Sequence, residues 1–249
     1  ARSVPVDSML TAVSFADEQH GWAVGHAGVV LSTSDGGETW TLQRRVVSED
    51  RPLFAVHMFD AKSGVAVGLW SLVLVTADGG KSWDAVSPPK PEGAKKADLN
   101  LFALFVNDKG ELFAAAERGT LLRSADRGRS WSYLSTGYKG SFWTGAALPG
   151  GVLLAAGLRG SVYRSADDGK TWSRVETGSK SSVTALLVKG QQVLGLGLDG
   201  LELRSSDGGA SFKTGVRDDH AALTTGVLLA DGTELVLSRQ GVLPGDAKK

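Results

Sequence analysis

The side chains in this 249-residue sequence that could do chemistry are four histidines, three tyrosines, 27 acidic and 27 basic residues, and there is no cysteine. Without thiols there is neither a disulfide framework nor thiolate metal ligation. His20, His26, His57 and His220 are scattered without ligand spacing. No HExxH, GxSxG or GxxxxGKS/T pattern occurs, so zinc hydrolysis, a serine nucleophile and a phosphate cradle all lack their signatures. GxGxxG-like fragments around Gly195 and Gly197 lie in an apolar run with no helix to follow, which removes a dinucleotide site. What does recur is an aspartate in an eight-residue box. It reads TSDGGETW at 33–40, TADGGKSW at 76–83, SADRGRSW at 124–131, SADDGKTW at 165–172 and SSDGGASF at 205–212.

Calcium binding or carboxylate catalysis needs several acids at one point. The box aspartates Asp35, Asp78, Asp126, Asp167 and Asp207 are instead 43, 48, 41 and 40 residues apart, a propeller-blade period. Within one box the Asp and the preceding Ser or Thr can bond the amides of a tight turn, and the glycine supplies a positive φ. The closing ring, Trp40, Trp83, Trp131, Trp172 or Phe212, is then expected to pack between sheets. The box reads as a folding device, with no metal, cofactor or catalytic residue expected.

The elements that would carry these boxes are short strands. Glycine numbers 33, about 13% of the chain, nearly double the usual ~7%, and this punctuation is too frequent for long helices. In the first unit, 10–15, 22–25, 29–33 and 39–43 are apolar or alternating runs, which predicts four strands per unit. The expected fold is a single all-β propeller domain over 1–249, with six blades rather than seven at about 10–45, 53–87, 100–135, 142–177, 182–217 and 220–246. The last unit has no box, and residues 3–7 are expected to supply a strand that closes the ring, with Pro5 tolerated at an edge. The longest apolar run, Val152–Leu158, is strand-sized and far short of a bilayer span. Zero net charge excludes a bulk cationic surface for nucleic acid.

The box pattern resembles that of Asp-box (BNR) repeats, and units such as HGWAVGHAGVVLSTSDGGETW at 20–40 resemble photosystem II assembly and stability factor-like propellers. The resemblance spans 10–212. It implies a non-enzymatic scaffold or assembly factor that binds a protein, specifically a membrane protein or its assembly intermediate. It further implies an extracytoplasmic setting, periplasm or thylakoid lumen, and a start at Ala1 rather than methionine is expected either from a leader removed or from a sequence begun at that point. In a non-photosynthetic bacterium the corresponding expectation is an accessory of an envelope complex or exporter. The fold alone does not fix function.

The turn between the second and third strands of each unit lies at the far end of the third strand, about 23 Å from the box at ~3.3 Å per residue. These turns are 26–28, 69–71, 117–119, 158–160, 198–200 and, by pattern, 239–241. They put His26, Trp70, Arg118, Arg159 and Arg239 on one rim, where the interblade links add Tyr138 and Trp143. This basic and aromatic patch is the expected partner-binding surface, since arginine forks carboxylates and an aromatic ring is a rigid anchor. The 88–98 insertion, with Lys90, Lys95 and Lys96, would flank it as an exposed arm. Arg123, Arg164 and Arg204, each three residues before a box aspartate, are expected to serve the blade framework. Two alternatives stay open. Trp70, Trp143 and Tyr138 could stack on sugar rings, and a sialidase-like glycosidase also uses Asp-box propellers and tyrosine, although its Phe/Tyr-Arg-Ile-Pro signature is missing.

Overall fold

The computed structural model describes residues 3–46, 48, 51–229 and 231–243. Its strands form six antiparallel sheets, the blades of an all-β propeller. Blade 1 contains β1 (Leu10–Phe15), β2 (Gly21–Gly25), β3 (Val30–Thr33) and β4 (Thr41–Arg44). Blade 2 contains β5 (Leu53–Met58), β6 (Gly64–Gly68), β7 (Val73–Thr76) and β8 (Asp84–Val86). Blade 3 runs through β9 (Leu101–Val106), β10 (Leu112–Ala116), β11 (Thr120–Ser124) and β12 (Ser132–Ser135). Blade 4 runs through β13 (Phe142–Leu148), β14 (Val152–Gly157), β15 (Val162–Ser165) and β16 (Ser173–Val175). Blade 5 has β17 (Val183–Lys189), β18 (Gln192–Gly197), β19 (Leu201–Ser205) and β20 (Lys213–Val216). Blade 6 has β21 (Leu223–Leu228), β22 (Glu234–Ser238) and β23 (Gly241–Leu243), with no fourth strand among the described residues. The chain divides into two compact units, one of 1–105, 111–117 and 121–133, the other of 106–110, 118–120 and 134–249.

The burial of each strand follows from its sequence. Second strands such as GWAVG, GVAVG and LFAAA are buried along their whole length, because small and apolar side chains cover both faces. The first strand β1 alternates half-buried and exposed positions, and β13 alternates buried and half-buried ones. Five first strands share a register shift one residue in, at Thr11, Phe54, Trp143, Thr184 and Thr224. Such a bulge re-aims a side chain out of the pleat. Thr11 uses it to donate to the carbonyl of Leu53, and Thr184 to that of Leu223, each bonding the first strand of the following blade.

Residues 3–7, expected as a closing strand, form none. Val4 and Val6 instead pack on the blade 1 core of Ala23, Val29 and Leu31. Side-chain burial, which needs no ladder, satisfies this proline-interrupted segment. Residues 244–246, expected to end the last blade, lie outside the described residues.

All five boxes close the same hydrogen-bonded ring. The Ser or Thr hydroxyl donates to Asp Oδ1 at 2.7–2.9 Å and accepts the glycine amide at 2.8–3.0 Å. Asp Oδ2 then accepts the second hydroxyl, from Thr39, Ser82, Ser130, Thr171 or Ser211. The indole N–H groups of Trp40, Trp131 and Trp172 donate to the carbonyls of Gly37, Gly128 and Gly169. Donors from Thr39 hold Asp35, from Ser82 Asp78 and from Thr171 Asp167 at a pKa of about 2. Asp207 is also lowered, chiefly by Ser211. At Asp126 burial opposes the shift, and the bonds from Ser130, Ser124 and the Arg129 amide together outweigh it.

An unfolded aspartate titrates near ~3.9, so the stabilisation from each box is complete above that value and is lost as pH falls through the folded-state pKa. The melting temperature is therefore expected to fall as pH drops from about 4 toward 2. Asp167→Asn should lower it at neutral pH and make the acid limb shallower. An acid limb identical in the variant, followed by circular dichroism, would show that the boxes do not govern acid stability.

The framework role of the repeated arginines is visible in their partners. Arg123 pairs with Glu111 and lies over Phe113, Arg164 Nε donates to the box carbonyl of Gly208, and Arg204 forks Glu234 while touching Glu202.

Candidate functional site

Five of the six turns share one conformation. Each is a single 3-10 turn or tight bend whose central residue is left-handed, with φ 56° at Ala27, 52° at Trp70, 58° at Arg118, 56° at Arg159 and 56° at Asp199. The third residue is buried beneath the link to the next blade, which leaves the central side chain to point outward. At Gly119 and Gly160 an added Cβ would strike the carbonyl oxygens of Tyr138 and Ser179. Ser71 takes the glycine position in blade 2 at φ 54°, where its hydroxyl accepts the Leu99 amide at 3.1 Å.

In the second unit these turns and links form a continuous series. The Gly119 amide donates to Gly140, and Thr136 Oγ1 donates back to the Gly119 carbonyl at 2.7 Å. The Tyr138 hydroxyl donates to Leu158, and the Arg159 amide donates to Ser182 Oγ at 3.2 Å. Thr177 Oγ1 donates to the Gly160 carbonyl, repeating the Thr136 contact one blade on. Arg118 and Arg159 are both exposed, at the same position of successive blades, and neither has an ion-pair partner among the described residues. The two links place Lys139 and Lys180, both exposed, beside them. Glu117, directly before Arg118 in its turn, accepts from the Asn100 side-chain amide at 2.9 Å, and Asp199 accepts a hydrogen bond from Ser181 Oγ at 2.9 Å.

Lys139 and Lys180 were not singled out from the sequence, although Thr-Gly-x-Lys at 136–139 and 177–180 repeats at the blade period. Tyr138 belongs to the scaffold of the site rather than to its open face. Its half-buried ring packs on Phe142 and Tyr163, with centroids 5.2 and 5.1 Å away. Trp143 is half-buried on the β13 bulge at the turn end of blade 4. Of the three rings of the sugar-stacking alternative, Tyr138 and Trp143 are half-buried and Trp70 is exposed.

Arg239 is exposed but occupies the first position of a different, two-residue turn, with Ser238 paired to Gly241. Ser238 stands where blades 1, 2 and 4 carry Gly25, Gly68 and Gly157, and where blade 3 keeps the common turn with Ala116. A Cβ at any of those glycines would fall 2.9 Å from a Cα of the adjacent first strand. Ser238 Oγ bonds the Gly241 carbonyl instead.

In the first unit His26 is exposed at the first position of its turn, and Trp70, 58% exposed, is central in the next. The Trp70 amide donates to Asn100 Oδ1, whose side-chain amide donates to Glu117 at 2.9 Å. The insertion is pinned at both ends, at Pro89 by the Tyr133 hydroxyl and at Leu99 by Ser71, while Lys90, Lys95 and Lys96 are exposed. Among the described residues no three His, Asp or Glu side chains converge as a metal site, and no helix is long and apolar enough to cross a membrane.

The family model described as photosynthesis system II assembly factor YCF48 matches residues 1–93. Two relatives named photosystem II stability/assembly factor HCF136, chloroplastic, from Guillardia theta and Cyanidioschyzon merolae, are each 51% identical over 39 residues. That stretch is 15% of this chain and only 10% and 9% of theirs. A solved structure described as YCF48 bound to D1 peptide aligns with a TM-score of 0.59 at 19% identity, covering 98% of this chain and 95% of that one. YCF48 from Cyanidioschyzon merolae aligns at 0.63 and 16%, covering 96% and 95%. The WD40 propeller domain of Doa1 aligns at 0.71 and 16%, covering 97% and 84%. The structural likenesses carry the propeller fold, and the family model bears out the resemblance read from the boxes.

Proposed function

We propose that this photosystem II assembly factor-like propeller is a non-catalytic scaffold that docks a protein partner, a membrane protein or its assembly intermediate, on the turn ends of its blades. The observation that carries the reading is the pair Arg118 and Arg159. Both are held outward by a left-handed turn, both lack an ion-pair partner among the described residues, and Lys139 and Lys180 accompany them. Four cations on rigid supports suit an acidic surface, because the guanidinium fork loses little freedom when it binds carboxylate. Arg239 and Trp143 are the further contacts of this reading in the same unit, with Tyr138 positioning the link that bears Lys139, and in the other unit the corresponding turn residues are His26 and Trp70.

A solved structural neighbour described as bound to a D1 peptide supports a polypeptide ligand. The setting we infer is outside the cytoplasm, in a periplasm or thylakoid lumen. Where photosynthesis is absent, an envelope complex or exporter takes the partner's place.

The test is affinity capture from detergent-solubilised membranes with the wild type and an Arg118→Glu, Arg159→Glu double variant of unchanged melting temperature. Recovery of the partner is expected to fall about tenfold or more in the variant, and wild-type recovery to fall with added salt. Equal recovery by both proteins would remove this face from the function.

A further inference from the structure

In blade 4 the residue three before the box aspartate is Arg164, whose Nε reaches the next blade and donates to the Gly208 carbonyl at 2.9 Å. Blade 1 carries Ser32 at that position, in the cross-strand row of Trp22, Ser32 and Thr41. A serine is too short to bridge the blades, and the bonds to the Gly79 carbonyl of the blade 2 box come from Trp22 Nε1 at 3.0 Å and Gln43 Nε2 at 3.2 Å. The framework thus closes without filling the groove. A cavity of about 350 Å³ lies beside Ser32, between blade 1 and the blade 2 box. That volume is at the lower end of the range for small-molecule sites, ~300–1,000 Å³. All of its lining belongs to the first compact unit. Val4 and Val6 pack on the opposite face of the sheet, against Ala23 and Leu31, and leave it open.

The wall of this cavity is polar. The hydroxyls of Ser32, Ser34 and Thr41 have no hydrogen-bond partner among the described residues, and Lys62 and Lys81, both exposed, have no ion-pair partner among them. The acid of the wall, Asp78, has both oxygens engaged within its own box, by Thr76 and Ser82. Two lysines against one carboxylate leave an excess of one positive charge beside a neutral histidine. His20 Nδ1 lies 2.9 Å from Asp17 Oδ2. An ionised carboxylate only accepts, so Nδ1 carries the proton and Nε2 of the neutral ring is an acceptor. The apolar side chains of the wall are Trp22, which is 3% exposed, and Ala61.

We propose that this cavity binds a sugar acid, a hexuronate either free or at the end of a polysaccharide chain. Its carboxylate is held by Lys62 and Lys81, one ring hydroxyl donates to His20 Nε2, and others bond Ser32, Ser34 and Thr41. The charge excess of one selects a single carboxylate. The hydroxyl-rich wall selects a hydroxylated body, since an aliphatic acid or an acidic peptide side chain would desolvate these groups without pairing them. The site lies at the box end of blade 1 and does not depend on the role of the turn ends.

The probes are D-galacturonate and D-glucuronate, titrated into the full chain by isothermal titration calorimetry, with D-galactose as the uncharged control and trigalacturonate as the chain form. At least one hexuronate is expected to bind saturably with a Kd of about 1 mM or tighter. Galactose should bind about tenfold more weakly. Ser32→Phe, which fills the cavity without adding charge, and Lys62→Gln with Lys81→Gln should each weaken hexuronate binding about tenfold or more. The lysine variant changes only exposed side chains, so it remains testable whatever Ser32→Phe does to folding. Trigalacturonate binding as tightly as the monomer assigns the site to a chain end, and binding about tenfold weaker assigns it to the free acid. Arg118→Glu with Arg159→Glu should bind as the wild type does, which separates this site from the turn-end reading. Saturable binding of neither hexuronate, equal binding of galactose, or undiminished binding by the lysine variant overturns the proposal.

Discussion

Phe142→Ala is expected to destabilise the protein by about 3–5 kcal/mol, the usual range for emptying a fully buried phenylalanine site. Phe142 is completely buried and lies in edge contact with Tyr163 at 5.7 Å and tilted against Tyr138 at 5.2 Å. The neighbours cannot collapse into the space, because Tyr138 is tied through its hydroxyl to Leu158 and Phe142 opens the bulged register of β13 opposite Gly157. The same ring supports the link that carries Lys139. Partner capture by the still-folded variant should therefore weaken while Arg118 and Arg159 remain in sequence. Urea denaturation with an unchanged m-value gives the measurement. A loss below about 1 kcal/mol would mean that the aromatic trio is not the support of this end of blade 4.

Gly160→Ser is expected to cost about 3 kcal/mol, from a left-handed backbone without glycine and a side chain driven into packed atoms. Its φ is 66°, and an added Cβ would strike the backbone carbonyl of Ser179, which cannot rotate away. The reciprocal change in blade 2, Ser71→Gly, should cost only about 1 kcal/mol or less. There the relief of left-handed strain offsets much of the hydrogen bond lost from the Leu99 amide. The serine fits in blade 2 because the insertion ends on it, with Leu99 bonded to both its hydroxyl and its amide. Thermal denaturation of the two variants side by side tests this asymmetry. Equal losses would mean that the link above the turn adapts freely, and the rigidity assigned to the Arg159 platform would go with it.

Most of the architecture was legible because it is written locally and repeated. A box closes its hydrogen bonds within eight residues, so Thr33, Asp35, Gly37 and Thr39 need no distant partner to specify the turn. Strands between such turns follow from short apolar runs, and the first unit's boundaries agree with expectation to within two residues. The repeated arginines were also readable as framework, since regular spacing points to regular neighbours. Their actual partners, Glu111 in the same blade for Arg123 and the next blade's turn for Arg164, are set by packing.

The candidate site was legible only in part. Arg118 and Arg159 were found because they sit in a repeated turn, whereas Lys139 and Lys180 lie in links whose lengths vary and whose repeat is four residues long. Tyr138 has the composition of an exposed anchor, but its environment comes from Phe142 and Tyr163. Arg239 looks like a sixth copy, but β22 and β23 are joined by a two-residue turn closed by the Ser238–Gly241 pair.

The sequence by itself determined the number and kind of sheets, the direction of each box and the turn positions from which side chains must project. Those properties rest on bonds between residues a few positions apart and on backbone conformations that few residue types adopt. Only the tertiary structure decided which projecting groups are open and which are propped by aromatic packing. Burial and partnership depend on what chain segments dozens of residues away bring alongside, and no local pattern encodes that.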